Sequence, residues 1–509
     1  MLPQAFIEQM TELLGPSEAE ALCRALCDTT PVTSIRTNPR KEATCPEGNG
    51  VPWCSTGRYL AERPQFTFDP LFHAGAYYVQ EASSMFIEQA WKAIATPPAP
   101  RAGGAECPVT KESLTDEVTT PPARGAGGVV LDLCAAPGGK STLWRSLLPD
   151  GSLLVANEPI RQRAQVLAEN LTKWGHPDVV VTSAYPEEFA PLGSFFDIIA
   201  ADVPCSGEGM FRKDEQAREE WSPEAVIACA ERQWGIISDV WPALKQGGYL
   251  VYSTCTFNAE EDEHMVARIC RELGAEVVPI AHDPAWNIVE GENFTNEDGQ
   301  QVALGYHFYP HRTKGEGIYM CLLRKTSEAP TGRSGKKDKK GKKGGKPAGG
   351  GNVKNGAAVV DWLAGSSDFK LFRPSEEHIG AVRQSLFDDV LAVTSTVRAL
   401  TAGILLAEEK GKKLIPQHAL AMSTALSTDA FPRQELDRDT ALAYLRREAI
   451  TLPSDCPRGY VIVTYGGLTL GFVNNLGTRA NNLYPEQWRI RSPHLASPDR
   501  GGTRSEQKK

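Results

Sequence analysis

Between residues 128 and 324, short apolar runs alternate with helical stretches, and this alternation restricts the possible fold more than any other feature. The runs are 128–136 (GVVLDLCAA), 152–158 (SLLVANE), 178–183 (DVVVTS), 196–204 (FDIIAADVP) and 249–255 (YLVYSTC). A helix is expected over 159–174, with Pro159 suited to its first turn. A second is expected over 223–244, with Ser222 as its N-cap. Lys245, Gln246, Gly247 and Gly248 read as a tight turn. A third helix is expected to open near Asn258 and Ala259, with Glu260, Glu261 and Asp262 at its positive end. Runs 275–280 and 317–324 read as the last strands. Near-continuous apolar strands separated by helices of this length imply an α/β fold: a mostly parallel sheet covered on both faces. In such sheets ligands sit at the carboxyl ends of the strands.

Two stretches interrupt the 509 residues. Residues 97–128 are rich in Pro, Gly, Ala and Thr, and residues 326–357 are rich in Gly and Lys; neither can bury a core. They divide the chain into blocks 1–96, 129–325 and 358–492, followed by a polar tail, 493–509. Net charge is −9, yet residues 331–354 alone hold nine Lys/Arg and one Asp, leaving the rest near −17. An acidic body must hold any polyanion through local basic patches. No apolar run reaches the roughly 18 residues of a membrane helix. The start of the chain lacks the basic region of a signal peptide. A cytoplasmic protein with no membrane partner is expected. Twelve cysteines are too sparse for a disulfide scaffold. Cys23 and Cys27, one helical turn apart, with Cys45 and Cys54 offer four zinc ligands but lack knuckle spacing, and the favoured reading makes Cys23 and Cys27 small core residues. No metal is expected.

The chemistry-bearing residues follow the strands. The first run closes on Asp132, Leu133, Cys134, Ala135, Ala136, Pro137, Gly138, Gly139 and Lys140, where small residues allow close backbone approach. The pattern is neither GxGxxG nor a P-loop, which favours a nucleoside over a nucleotide diphosphate. Glu158, about 20 residues on, can accept hydrogen bonds from ribose hydroxyls, or simply cap the helix after it. The fourth run ends Asp202-Val203-Pro204-Cys205-Ser206-Gly207-Glu208-Gly209, and the fifth Tyr252-Ser253-Thr254-Cys255-Thr256. If those strands are neighbours, about 5 Å apart, both cysteines face one substrate.

DLCAAPGGK, DVPCSGEG and YSTCT, in that order, resemble the Sun-family RNA cytosine-C5 methyltransferases. The flanks resemble the family too: YYVQEASSM (77–85) the helix before the catalytic core, PHRTKGEGIYMCLLRK (310–325) the closing strands, and SIRTNPRK (34–41) a small N-terminal RNA-binding extension. RGYVIVTYGGLTLGFVNNLG (458–477) and NNLYPEQWRIR (481–491) resemble the PUA-like domain of the bacterial ribosomal-RNA branch. The resemblance implies a Rossmann-like, S-adenosylmethionine-dependent core with a seven-stranded, mostly parallel sheet. A small N-terminal α+β domain and a C-terminal PUA-like β-rich domain would flank it.

It further implies S-adenosylmethionine held by residues 134–140, Glu158 and Asp202. Ser183 stands where the family usually has an aspartate for the adenine amino group. The implied reaction is methylation of cytosine carbon 5 in RNA, most naturally ribosomal. Carbon 5 is a poor nucleophile, and a thiolate adding to carbon 6 supplies the missing electron density. By resemblance that thiolate is Cys255, Cys205 assists release, and Asp202 holds the base edge. Arg36, Lys140, Arg212 and Lys213 are candidate RNA contacts. Tyr460, Tyr465 and Phe472 read as sheet core more than as stacking platforms. A transfer-RNA substrate and a non-catalytic RNA-binding assembly factor are the alternative readings. Nothing in the sequence bears on oligomeric state, and a monomer is the default.

Overall fold

The computed structural model describes residues 2–95, 128–295, 301–327 and 356–492. Stretches 97–128 and 326–357, apart from their edges, and the tail 493–509 lie outside the described residues.

The N-terminal block opens with amphipathic helices α1 (Gln4–Leu14) and α2 (Pro16–Asp28), joined at Gly15, whose φ is +81°. Their apolar faces bring Phe6, Met10, Leu22 and Leu26 against Phe211, Trp221 and Phe257 of the middle block. Strands β1 (Ser34–Thr37), β2 (Asn49–Val51), β3 (Cys54–Tyr59) and β4 (Tyr77–Val79) form a small sheet in the order β2-β3-β1-β4. Helix α3 (Pro70–His73) precedes β4, and α4 (Ile87–Ala95) ends the block.

The middle block runs β5 (Val129–Asp132), α5 (Gly139–Leu147), β6 (Leu153–Asn157), α6 (Arg161–Trp174), β7 (Val179–Thr182) and β8 (Phe196–Asp202). It continues with α7 (Glu215–Glu220), α8 (Pro223–Val240), β9 (Leu244–Thr254) and α9 (Glu263–Ile269). Short strands β10 (Ala275–Val277), β11 (Val289–Glu290), β12 (Asn293–Thr295), β13 (Gln301–Ala303) and β14 (Tyr306–His307) lead to β15 (Tyr319–Lys325). The five strands β9-β8-β5-β6-β7 are parallel, as the alternating pattern requires. Side chains alternate between the two faces. Leu131, Val155 and Ile199 enter one core, while Val130, Leu154 and Ile198 enter the other.

The sheet is broader and more mixed than seven mostly parallel strands. Ten strands take part, and β10, β11, β14, β15 and a strand from beyond the lysine-rich stretch are all antiparallel additions. Two local expectations also change. β9 begins at Leu244, so the expected 245–248 turn becomes the irregular start of the strand, where its register against β8 shifts. Helix α9 opens at Glu263 rather than near Asn258; the Asn258 and Glu261 side chains are taken up in contacts to Glu208 and Ser206 of the loop after β8.

The C-terminal block holds two sheets. The first comprises β16 (Phe369–Ser375), β17 (His378–Arg383), β19 (Ile404–Lys410) and β20 (Lys413–Pro416), with α10 (Gly356–Val360), α11 (Phe387–Thr396) and α12 (His418–Met422) around it. The strand between them, β18 (Ala399–Ala402), leaves this sheet and pairs antiparallel with β7 of the middle block's sheet. The second comprises β21 (Arg433–Glu435), β22 (Gly459–Tyr465), β23 (Leu468–Asn475) and β24 (Ala480–Asn482), with α13 (Arg438–Leu445) packed on it. Phe472 is sheet core, shared with Ile462 and the first sheet, while Tyr460 and Tyr465 are half-buried. No helix among the described residues is long and apolar enough to cross a membrane.

Candidate active site

Strands β8 and β9 are neighbours, with Asp202 paired to Ser253, so the loops after them emerge side by side. The Cys205 and Cys255 sulfurs lie 3.2 Å apart, and the backbone N–H of Cys255 also points at the Cys205 sulfur. The hydrogen bond to Cys255 and then burial push the Cys205 thiol well above its ordinary pKa. Asp202 accepts from Ser253 Oγ at 2.8 Å, and its other oxygen pairs with Lys140 Nζ at 2.8 Å. Burial is the largest influence and disfavours the Lys140 charge, but Asp202, Cys255 and Asp132 together outweigh it and raise the lysine pKa.

The turn after β5 lies beside this group. Gly138 has φ +116°, a conformation that favours glycine, and opens α5. A Cβ on Gly138 would meet Leu167, and one on Gly139 would meet Tyr78 at 3.2 Å, so the close approaches these glycines allow include contacts with protein. Ala135 N–H bonds to Asn157 O, Ala136 O accepts from Arg163, and Pro137 O accepts from Asn170. Cys134 is half-buried, its thiol pushed up by burial and then by Asp202 and Asp132. Glu158, at the end of β6, is buried; one oxygen takes the Ile160 N–H and the other lies 3.4 Å from Arg163. Ser183 donates its hydroxyl to Pro159 O, and its N–H is taken by Arg398 beside β18.

Two expected RNA contacts lie inside the molecule. Arg36 is fully buried, donating to Gln80 at 2.8 Å and Thr142 at 2.5 Å, with its guanidinium 4.5 Å from the Trp174 ring. It fastens β1 to α5 and cannot reach a phosphate. Arg212 is likewise enclosed, donating to Glu316, Thr29 and Gly315 O. Lys213, 3.6 Å from the same Glu316, keeps more exposure. Lys140 is engaged with Asp202 instead.

Several groups escaped the sequence reading. Asp132 accepts from Ser141 at 2.5 Å, while its Oδ1 is buried without a partner. Burial pushes its pKa up to about 7. Glu208 and Glu261 are fully buried beside the cysteine loops. The signal available for Glu261 is the acidic run 260–263 beside an apolar helix, which by itself reads as a solvated helix start, and for Glu208 its place in the segment after the fourth strand. Asp262, Glu263 and His307 are the one group among the described residues with metal-ligand spacing. His307 Nε2 lies 2.6 Å from Glu263, a direct hydrogen bond, and the ring stacks on Tyr309. Cys23, Cys27, Cys45 and Cys54 are not part of that group.

An orphaned buried carboxylate oxygen beside a glycine turn, a second carboxylate one strand over, and paired thiols at the next strand ends fit S-adenosylmethionine. Fold and site together define an S-adenosylmethionine-dependent methyltransferase of the Rossmann-like class. The description 16S rRNA methyltransferase RsmB/F matches residues 123–324, the N-terminal domain of 16S rRNA methyltransferase RsmF matches 2–82, and the methyltransferase RsmF PUA domain matches 431–490. Ribosomal RNA small subunit methyltransferase F of Shigella boydii is 30% identical, covering 95% of this chain and 96% of its own. Its counterpart from Aliivibrio salmonicida is 29% identical, over 96% and 97%. The crystal structure of PH0851 shares the fold, with TM-score 0.50 and 20% identity over 64% of this chain and 66% of its own. The chain belongs to the ribosomal RNA small subunit methyltransferase F family.

Proposed function

We propose that this chain methylates carbon 5 of a cytosine in small-subunit ribosomal RNA, through a covalent bond between Cys255 and carbon 6. The observation that carries this reading is the pair of sulfurs 3.2 Å apart at the ends of adjacent parallel strands, beside the Lys140–Asp202 pair. When bound, S-adenosylmethionine supplies an electrophilic methyl group. Residues 134–140, Glu158 and Ser183 would hold that donor, with the partnerless oxygen of Asp132 toward its cationic end.

The chain's own groups then divide the work. The Lys140 ammonium, held by Asp202, places a positive charge beside the cysteine loops. Cys255 adds to carbon 6, and the electron pair displaced toward carbon 5 would take up the methyl carbon as that carbon's bond to the sulfonium sulfur breaks, its pair staying on the sulfur. Asp202 holds the base edge at ring nitrogen 3, which stabilises the adduct. Release requires the carbon-5 proton to leave; its bonding electrons restore the 5,6 double bond and expel Cys255. Cys205, 3.2 Å from Cys255, serves this step: its sulfur takes the carbon-5 proton as its own proton passes to the departing Cys255 sulfur. The target base must be unpaired or extruded to reach two sulfurs at a strand end. The PUA-like sheet and the N-terminal block would hold the surrounding RNA.

The test combines labelled donor with small-subunit RNA. We expect label in 5-methylcytosine, no turnover by Cys255→Ala, and a protein–RNA adduct that survives denaturing gels with Cys205→Ala. Label elsewhere, or an adduct from Cys255→Ala instead, overturns the assignment.

A further inference from the structure

Two buried carboxylates join the cysteine loops crosswise. Glu208, three residues beyond Cys205, accepts from Thr256 Oγ1 at 2.6 Å and from the Phe257 N–H at 2.6 Å, the two residues after Cys255. It also takes Trp221 Nε1 at 3.0 Å and Asn258 Nδ2 at 2.9 Å. Glu261, six residues beyond Cys255, accepts the Ser206 N–H at 3.0 Å, just after Cys205. It takes Gln233 Nε2 at 2.6 Å, and that same amide donates to Pro204 O at 3.0 Å, just before Cys205. Asn258 joins the two halves: its Nδ2 reaches Glu208 and Glu261, each at 2.9 Å. Each loop thus carries the acceptor that fixes the other loop's cysteine.

Both carboxylates are fully buried, and every partner they show is neutral. Burying an ion without a counter-ion is destabilising, and apolar packing would hold two loops together more favourably. What a carboxylate adds is direction: up to four acceptor sites fix several donors at set angles. Here those donors flank the two reacting sulfurs on both sides.

We propose that Glu208 and Glu261 are positioning residues that set the two sulfurs relative to one another, Glu208 governing formation of the Cys255 adduct and Glu261 governing its release through Cys205. The inference rests on the cysteine roles proposed above. Misplacing a reacting group by about 1 Å costs on the order of 10²-fold in rate. Removing one carboxylate charge therefore shifts one step and spares the other. The Gln side chain in Glu261→Gln turns an N–H toward donors at Ser206 and Gln233 and displaces Cys205. Glu208→Gln does the same to the Cys255 loop.

The test uses full-length protein, with melting temperature and donor affinity measured first. Adduct formation is followed in single turnover with the Cys205→Ala background, so that the adduct accumulates. We expect Glu208→Gln to slow it on the order of 10²-fold. Glu261→Gln, with both cysteines present, is expected to accumulate a denaturation-resistant adduct, as a partial copy of Cys205→Ala. Donor affinity is expected to hold within about twofold in both, because neither residue belongs to the β5 turn. Should either variant fail to fold, Asn258→Ala, which cuts the link but leaves each carboxylate its backbone donor, is expected to slow both steps. Folded variants that form and release adduct in the wild-type ratio overturn the inference, as does equal slowing of both steps by each carboxylate variant. Failure of Cys205→Ala itself to trap adduct would instead defeat the underlying cysteine assignment, so the two failures are distinguishable.

Discussion

Arg36 shows how far a residue's identity is from its role. In SIRTNPRK it resembles an RNA contact, yet its guanidinium is taken up by Gln80, Thr142 and the Trp174 face. Arg36→Ala is expected to cost about 2–4 kcal/mol, through weakened packing and stranded partners, and to leave the RNA affinity of folded protein unchanged. Thermal melts beside a filter-binding titration check both halves. Three histidines contribute to a pH dependence. Desolvation, then Lys173, lowers His73 to about 3; desolvation, then Arg145 and Arg40, lowers His176 to about 2; desolvation, then Lys173 and Lys41, lowers His418 to about 3. All three lie below the unfolded value near 6.5. Below that value the unfolded chain binds protons that the native one refuses, so stability falls as the pH drops. The slope is about 1.4 kcal/mol per unit per histidine, and the loss begins near pH 6.5. Asp132, pushed up to about 7, acts with the opposite sign over the same range, so the histidine share is read by difference: in melting curves from pH 7.5 to 5, His73→Gln is expected to shift the slope by one histidine's share. The cysteines, Asp202, Glu158 and the glycine turn are legible as chemistry because strands end where ligands bind. Glu208 and Glu261 are not, because a buried acid and a solvated acid are the same letter, and only the partners from a distant loop distinguish them.

At the level of elements, the end of α6 is where three blocks meet. Asn38 of the N-terminal block bonds to Trp174 O, and Lys41 Nζ bonds to Lys173 O. Thr424 of the C-terminal block bonds to Gly175 O, while a Cβ on Gly175 would lie 2.2 Å from Met422 O. Gly175 also has φ +88°. Gly175→Val is therefore expected to cost about 2–4 kcal/mol and to make the C-terminal block sensitive to protease before the catalytic block unfolds. Limited proteolysis resolved by mass is the check, with unchanged donor binding as its control. The five parallel strands are readable because their apolar runs are long enough to be buried on both faces. β18 is not, since ALTA carries no such run and its position depends on an open edge supplied by β7, more than 200 residues away in sequence. The start of β9 misleads for a related reason: Gly247 and Gly248 signal a turn locally, while pairing with β8 keeps them within the strand.

Over the whole molecule, charge is segregated along the chain. The body is acidic, and residues 331–354 carry the opposite sign. Replacing the eight lysines there with serine is expected to flatten the dependence of RNA affinity on salt, by about 0.7–0.9 in log–log slope for each phosphate no longer neutralised. Turnover at saturating RNA is expected to stay the same. Titrations at several salt concentrations check this. Because the strand that closes the β7 edge comes from beyond that lysine-rich stretch, the ribosome finishes the catalytic sheet late. At about 5–20 residues per second, β7 emerges roughly ten to forty seconds before its partner does. For that interval the nascent polypeptide carries an unclosed row of peptide groups, the kind of edge that recruits other strands. Slow codons between the two segments would prolong that hazard, and truncated translation products would never escape it.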